Sequence, residues 1–309
     1  MTSPLSFVWL EVTGKCQLTC AHCYADSGPR GTHGNMKGRD WLRVINEAAT
    51  LGVQMVQFIG GEPTMHPELP DLINGALASG LEVEVYTNLV HVRQELWETF
   101  EQPGVRLATS YYSDERSQHE TITKRRGSYS RTKANVIEAL RRSIPIRVGI
   151  VETHDDQRVE QARAELESLG LTDIGSDRLR QVGRGIRDQA AGLAQLCGNC
   201  ASGVLAVSPH GFVWPCVFSR WLSIGNVRDS SLTEILAGSR LSNVRRDLLE
   251  HFQQRPTHST FSACNPDCNP HCNPCNPGCS PYNAPCNPAC SPSCSPTCNP
   301  TNCRPRCLP

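Results

Sequence analysis

The sequence predicts an α/β fold built on a parallel sheet, followed by a small hairpin-plus-helix module and a low-complexity tail. Three observations carry that expectation. Between Phe7 and about Asp173, short β-branched runs alternate with longer segments of helical spacing. From about Arg178 this rhythm gives way to glycines and a hairpin, and from Cys264 the chain repeats Cys-Asn-Pro and Cys-Ser-Pro. The 309 residues amount to about two domains at ~150 residues each. A chain of that length buries a full core without disulfides or metal as staples.

The strand candidates are Phe7–Val12, Val53–Ile59, Leu81–Tyr86, Val105–Thr109 and Ile146–Val151, each short and bounded by turn residues. Residues 40–51 place Trp41, Ile45 and Ala48 on one helical stripe, and residues 157–169 do the same with Val159, Ala162, Leu166 and Leu169. Gly52, Gly80 and Gly170 follow the ends of helical segments, where a left-handed cap is wanted. Strand–helix repetition implies parallel strands with helices packed outside them. Five or six units fit before residue 180. That suits an incomplete barrel or an open doubly wound sheet, and periodicity alone does not separate the two.

The later segment reads differently. Val204–Val207 and Phe212–Trp214 flank Ser208-Pro209-His210-Gly211, the pattern of a hairpin. Ser231 followed by Glu234 forms a capping box for a short helix at 232–237. The tail holds 12 of the 22 prolines, which forbids helix and ladder pairing, and it offers almost nothing apolar to bury. It is expected to be disordered or polyproline-like without a ligand.

Charge and cysteine usage limit the functional classes. Lysine plus arginine and aspartate plus glutamate both number 30, which argues against a general nucleic-acid binder. No run approaches the ~20 apolar residues of a membrane span, and the first residues do not resemble a signal peptide. A soluble, cytoplasmic protein is expected. The 17 cysteines cluster at 16–23, at 197–216 and in the tail, with none from residue 24 to 196. Clustered thiols in a chain without an export signal point to metal rather than to cross-links.

Cys16, Cys20 and Cys23 lie on the loop that leaves the first strand. Soft thiolates select zinc, copper(I) or iron–sulfur clusters. Three thiolates on a [4Fe–4S] cube would leave one iron open to an outside ligand, whereas a structural zinc wants four protein ligands. The C-x3-C-x2-C spacing, with His22 before the last cysteine, resembles the signature of the radical S-adenosylmethionine (AdoMet) enzymes. Gly60-Gly61-Glu62-Pro63-Thr64 after the second strand resembles the glycine-rich motif of that family, which contacts the AdoMet amino group. The resemblance implies a partial (β/α)6 TIM-like barrel, with a [4Fe–4S] cluster and AdoMet at the C-terminal ends of its strands. By the same resemblance, Asn88 at the end of the third strand and Ser110 at the end of the fourth are AdoMet contacts. Arg125, in Lys124-Arg125-Arg126-Gly127-Ser128, is a candidate partner of the AdoMet carboxylate. Gly183-Arg184-Gly185 also resembles the family, without an assigned role.

Cys197-Gly198-Asn199-Cys200 before the hairpin and Cys216 after it are similar to the opening of a SPASM or twitch extension, which holds auxiliary iron–sulfur clusters. A zinc knuckle is the plainer alternative. Three converging thiolates need a fourth, and Cys264 or Cys268 is the candidate. The eleven tail cysteines run on an almost uniform step, so spacing does not pick the ligand. Most of them read as a flexible thiol-rich appendage. The expected divisions are residues 1–185 for the core, 186–263 for the auxiliary-cluster module and 264–309 for the tail.

The resemblance implies a radical oxidoreductase or maturase that cleaves AdoMet to a 5′-deoxyadenosyl radical and takes hydrogen from its substrate. A ribosomally synthesised peptide is the leading substrate class. The first strand begins at about residue 6, so a separate leader-recognition protein is expected to present the peptide. An electron donor of flavodoxin or ferredoxin type is also implied. The alternatives are a radical dehydrogenase, epimerase or decarboxylase acting on a small metabolite, and a metal-handling protein with the tail as its working part.

Overall fold

A computed structural model of the chain describes residues 4–253. Cys264, Cys268 and the rest of the 264–309 tail lie outside the described residues. Six parallel strands follow one another in chain order: β1 (Phe7–Thr13), β2 (Met55–Gly60), β3 (Glu82–Tyr86), β4 (Val105–Tyr111), β5 (Ile146–Glu152) and β6 (Ile174–Arg178). Each pairs with the next. A doubly wound sheet reverses its strand order part-way, and this one does not. Consecutive order is that of a barrel wall, which resolves the ambiguity left by periodicity.

The crossovers are helical. They comprise α1 (Gly38–Thr50), α2 (Leu69–Ala78), α3 (Gln94–Phe100), α4 (Arg116–Thr123), α5 (Ser128–Arg141) and α6 (Val159–Ser168). Gly52, Gly80 and Gly170 all take left-handed φ values just beyond the helix ends. Alternation along the strands sorts side chains to two faces. Val8, Leu10 and Val12, with Val56, Phe58, Val83, Val85, Leu107, Val148 and Ile150, join the helices in one core. The opposite face carries Trp9, Glu11, Gln57, Glu84, Tyr86, Arg106, Ser110 and Arg147, several of them partly exposed. β6 reads Ile-Gly-Ser-Asp-Arg, with one apolar residue in five, and so carries no strand signal of its own.

The later segment does not stand apart from the barrel. β7 (Val204–Val207) pairs parallel to β1, and β8 (Phe212–Trp214) and β9 (Gly225–Asn226) follow it antiparallel. The sheet therefore runs β6-β5-β4-β3-β2-β1-β7-β8-β9. All four residues of β7 are buried, as expected of a strand covered on both faces. Leu205, Val207, Val213, Ile224 and Val227 share the core of the barrel, as do Leu232 and Ile235 of α7 (Leu232–Ala237). The hairpin and the Ser231–Glu234 capping box form as expected. Helix α8 (Ser239–Gln253) closes the described chain.

Candidate active site

β1 and β2 end side by side, and their register shifts between Glu11 and Thr13 as the chain turns out of the sheet. The Gly61 N–H donates to Thr13 O (2.6 Å) and the Glu62 N–H to Lys15 O (2.8 Å). The Gly60–Glu62 segment thereby lies against the residues that lead into Cys16. Only glycines allow this approach. Gly60 sits at φ +127°, and a Cβ on Gly61 would stand 2.2 Å from Lys15 O.

The cysteine loop is tied down along its length. The Cys16 N–H donates to Gly28 O (3.0 Å), the Ala21 N–H to Ile122 O (2.9 Å) and the Arg184 N–H to Cys23 O (3.0 Å). The Arg184 side chain adds bonds to Cys20 O (3.0 Å) and Ser27 O (2.6 Å) and pairs with Asp26 (2.7 Å). Gly183, at φ +59°, lies so close that a Cβ would meet Cys23 O at 2.5 Å. Gly183-Arg184-Gly185 is thus the clamp on the cysteine loop, a role that spacing did not disclose.

The three thiols of this loop are free of disulfides. Cys16 is buried, and its sulfur receives the Leu18 N–H (3.4 Å) and the Asn88 Nδ2–H (3.7 Å). Burial, with the Glu62 charge behind it, pushes the Cys16 thiol up to about 12. Cys20 is raised by burial and then by Cys23 and Cys16. Buried thiols this close need a cationic centre to ionise, so metal binding there releases protons. Among the described residues no three Cys, His, Asp or Glu converge on one point tightly enough for a single ion. A [4Fe–4S] cluster would take each thiolate on a separate iron, so it does not need them to converge on one point.

The other sequence candidates surround this loop. The buried Glu62 carboxylate accepts from the Thr64 N–H (3.1 Å), the Thr64 hydroxyl (2.7 Å), the Thr87 hydroxyl (2.7 Å) and the Asn88 N–H (2.8 Å). It locks the ends of β2 and β3 together, with Pro63 starting the turn that follows. The Asn88 amide bonds Gln17 and faces the Cys16 sulfur. The Ser110 hydroxyl lies 2.9 Å from the Tyr86 hydroxyl. The His22 ring stacks edge-on to Tyr112 at 5.0 Å, and burial with the charges of Arg187 and Arg184 pulls it down to about 4, so it is neutral at pH 7. Arg125 is exposed on the turn between α4 and α5, and its guanidinium makes no hydrogen bond or ion pair among the described residues.

A second thiol set lies beside β8. The Cys200 sulfur is 3.2 Å from the Cys216 sulfur, and Cys197 also bonds it. Hydrogen bonding to these two thiols and burial raise Cys200 strongly. The six described cysteines are all free of disulfides. Trp9 and Phe218 pack against this set and also against Ala206, Trp214 and Val217 on the concave side.

Charged residues on the concave wall escaped the sequence reading. Glu11 is buried and takes both its ion-pair contacts from Arg220 (2.6 and 2.7 Å), whose guanidinium lies 4.3 Å from the Trp214 ring. Burial raises the Glu11 carboxyl despite that partner. Glu84 holds Arg147 through two bonds of 2.7 Å and Arg106 at 2.9 Å, and it accepts from Gln57. The available signal was a charge at the inward position of an otherwise apolar strand. The partners lie 63 and 209 residues away, beyond any local pattern.

Soft thiolates on a loop at the C-terminal edge of parallel strands, above a polar wall that water reaches, define a metallocofactor enzyme site. Residues 10–166 match the family model of the Radical SAM superfamily, and residues 197–276 match SPASM, an iron–sulfur cluster-binding domain. The first match spans half of the chain, which belongs to the radical SAM superfamily. Its cofactors are accordingly a [4Fe–4S] cluster and AdoMet, with auxiliary iron–sulfur binding by the SPASM segment.

Among curated relatives, the PqqA peptide cyclase of Xanthomonas campestris pv. campestris (strain B100) is 28% identical over 192 residues, covering 61% of this chain and 50% of that protein. Mycofactocin maturase MftC of Mycobacterium tuberculosis (strain CDC 1551 / Oshkosh) is 32% identical over 114 residues, covering 37% and 27%. The chain spans at most about half the length of these relatives. Streptococcus suis SuiB bound to S-adenosylmethionine superposes with a TM-score of 0.67 at 15% identity, over 79% of this chain and 68% of that one. SuiB bound to precursor peptide SuiA matches with the same TM-score and identity, over 79% and 67%. These likenesses show a shared fold.

Proposed function

We propose that the chain is a radical SAM oxidoreductase that matures a ribosomally synthesised peptide. The observation that carries this reading is the Cys16–Cys23 loop, pinned against the Gly60–Gly61 backbone at the strand ends and facing a polar concave wall. When bound, the cluster and AdoMet together supply a 5′-deoxyadenosyl radical that takes hydrogen from an unactivated carbon. In this reading Cys16, Cys20 and Cys23 hold the cluster. The glycines at 60 and 61 present bare backbone to the AdoMet amino group. Asn88 steadies the Cys16 sulfur and Ser110 offers a hydroxyl at the end of β4, while neutral His22 and Tyr112 form an uncharged flank. Glu62 and Pro63 set the shape of the motif. Arg125, exposed on a turn tied to the cysteine loop, is in this reading the partner of the AdoMet carboxylate.

In the same reading Cys197, Cys200 and Cys216 hold an auxiliary cluster, with Cys264 or Cys268 as the fourth ligand. Peptide as substrate is supported by the relatives, one named a peptide cyclase and one a maturase, and by a structural neighbour bound to a precursor peptide. A flavodoxin or ferredoxin supplies the electron, and a separate leader-recognition protein presents the peptide. No helix among the described residues is long and apolar enough to cross a membrane.

The test is incubation of anaerobically reconstituted protein with AdoMet, reductant and any short precursor peptide found encoded beside its gene. A mass change on the peptide, with 5′-deoxyadenosine formed alongside, is the expected result. Unchanged peptide together with turnover of a sugar or nucleoside would overturn the peptide reading.

A further inference from the structure

Three of the six tyrosines of the chain, Tyr111, Tyr112 and Tyr129, pack around the buried His119. The His119 ring lies edge-on to Tyr112 at 5.2 Å, to Tyr111 at 5.1 Å and to Tyr129 at 5.7 Å. Tyr111 in turn meets Tyr129 at 6.1 Å. All four separations are those of rings in contact. Tyr112 forms the inner end. It stacks on His22 at 5.0 Å and turns its hydroxyl toward Ser110, within reach of the Cys20 and Cys23 charges. Tyr129 forms the outer end, partly exposed on α5 beside Lys133. The rings thus run without a gap from the cysteine loop to the surface. The hydroxyls add a second feature. Tyr111 donates to Glu165 Oε2 and Tyr129 to Glu165 Oε1, each at 2.6 Å, and Lys133 pairs with the same carboxylate at 2.5 Å. A phenol gives up an electron readily only where its proton has an acceptor. One carboxylate shared by two phenols passes a proton from one to the other as an electron moves between the rings.

We propose that Tyr112, Tyr111 and Tyr129 form a relay that carries an oxidising equivalent out of the site when a radical forms with no substrate in place. The inference rests on the radical SAM reading and adds a function to it, since a reactive intermediate must be kept from side reactions with the protein. Tyr112 gives its hydroxyl hydrogen to the 5′-deoxyadenosyl radical. An O–H bond breaks, a C–H bond forms and a tyrosyl radical remains; the phenol O–H is the weaker of the two bonds, so the step runs downhill. An electron then passes from Tyr111 across the His119 contact to Tyr112. Tyr112 regains a proton from water by way of Ser110 and Tyr86, whose hydroxyls lie 2.9 Å apart, and Tyr111 leaves its own proton on Glu165. Next an electron from Tyr129 refills Tyr111, which takes that proton back. Glu165 accepts the Tyr129 proton in its place and returns it to water. A soluble one-electron reductant, for which ascorbate is the probe, gives a hydrogen atom to Tyr129 and restores it.

The test uses protein rebuilt anaerobically in deuterium oxide, reduced, freed of dithionite and mixed with AdoMet in the absence of substrate. Mass spectrometry reads the 5′-deoxyadenosine, and freeze-quench electron paramagnetic resonance reads the protein radical. The parent should give 5′-deoxyadenosine carrying solvent deuterium, because phenol hydrogens exchange with water. It should also give a tyrosyl signal that narrows when ring-deuterated tyrosine is incorporated. Tyr112→Phe should lose both the label and the signal while still forming 5′-deoxyadenosine, which shows that the fold and the cluster survive. Tyr129→Phe should keep the label and form as much 5′-deoxyadenosine as the parent, but hold a tyrosyl radical that ascorbate quenches more slowly. Label and signal unchanged in Tyr112→Phe would overturn the proposal, and so would quenching unchanged in Tyr129→Phe. A parent that forms only unlabelled 5′-deoxyadenosine overturns the relay alone. A parent that forms none overturns the radical SAM reading, and the relay with it.

Discussion

Glu84 stands on the concave wall with two guanidiniums and a carboxamide around one buried carboxylate. Burial alone would raise its pKa, but hydrogen bonds and charge from Arg147, then Arg106 and Gln57, outweigh it and hold the carboxyl below its ordinary value of 4.5. The folded state therefore binds the proton less tightly than the unfolded chain does. The stability this contributes is present above the ordinary value and is lost as pH falls through the folded one. Glu84→Gln should cost about 2 kcal/mol at neutral pH, since Arg106 and Arg147 keep partial access to water. Urea titrations at a series of pH values should show the gap between variant and parent narrowing below pH 4.5. A gap that stays constant into acid would contradict the ion-pair account. At this scale the sequence spoke unevenly. Cys16, Cys20 and Cys23 were legible because they lie within eight residues, whereas Glu84 with Arg147 and Glu11 with Arg220 are pairs that only the folded sheet assembles.

Elements were more legible than pairs, because period and caps are local. The five apolar runs became β1 to β5, and residues 40–51 and 157–169 became α1 and α6 with ends shifted by a residue or two. β6 has no apolar run of its own and was expected only through the resemblance to a (β/α)6 barrel; its neighbour β5 and the long-range pairing fix it. The hairpin was legible, but its attachment was not. Parallel pairing of β7 with β1 joins segments about 200 residues apart, and nothing in Val-Leu-Ala-Val names the partner. One cap allows a clean test at this scale. The Ser231 hydroxyl accepts the Glu234 N–H (3.2 Å), and the Glu234 carboxylate accepts the Ser231 N–H (2.8 Å) at the start of α7. Ser231→Ala should lower stability by about 1 kcal/mol, read as a shift of the urea midpoint with an unchanged slope. Because Leu232 and Ile235 reach the common core, the variant should still unfold in one transition.

Taken whole, the described residues form one curved wall with helices on the outside and polar residues within. The Cys16–Cys23 loop leaves the C-terminal end of β1, and Cys197 and Cys200 precede β7 at the other end of that strand pair. Trp9 of β1 touches the packing around Cys200 and Cys216 as well as the barrel face. A core shared between the barrel and the β7–β9 hairpin joins the two segments that carry these sets. Strand–helix repetition disclosed the parallel sheet and the family resemblance its partial barrel; the core shared with the hairpin came only from the structure. The most direct test is to rebuild the protein anaerobically with iron and sulfide, add dithionite and AdoMet, and quantify 5′-deoxyadenosine by mass spectrometry. The expected result is steady formation by the parent chain and none by the triple variant Cys16→Ala, Cys20→Ala, Cys23→Ala. Equal yields from the two, or none from a parent chain shown to carry its iron and sulfide, would contradict it.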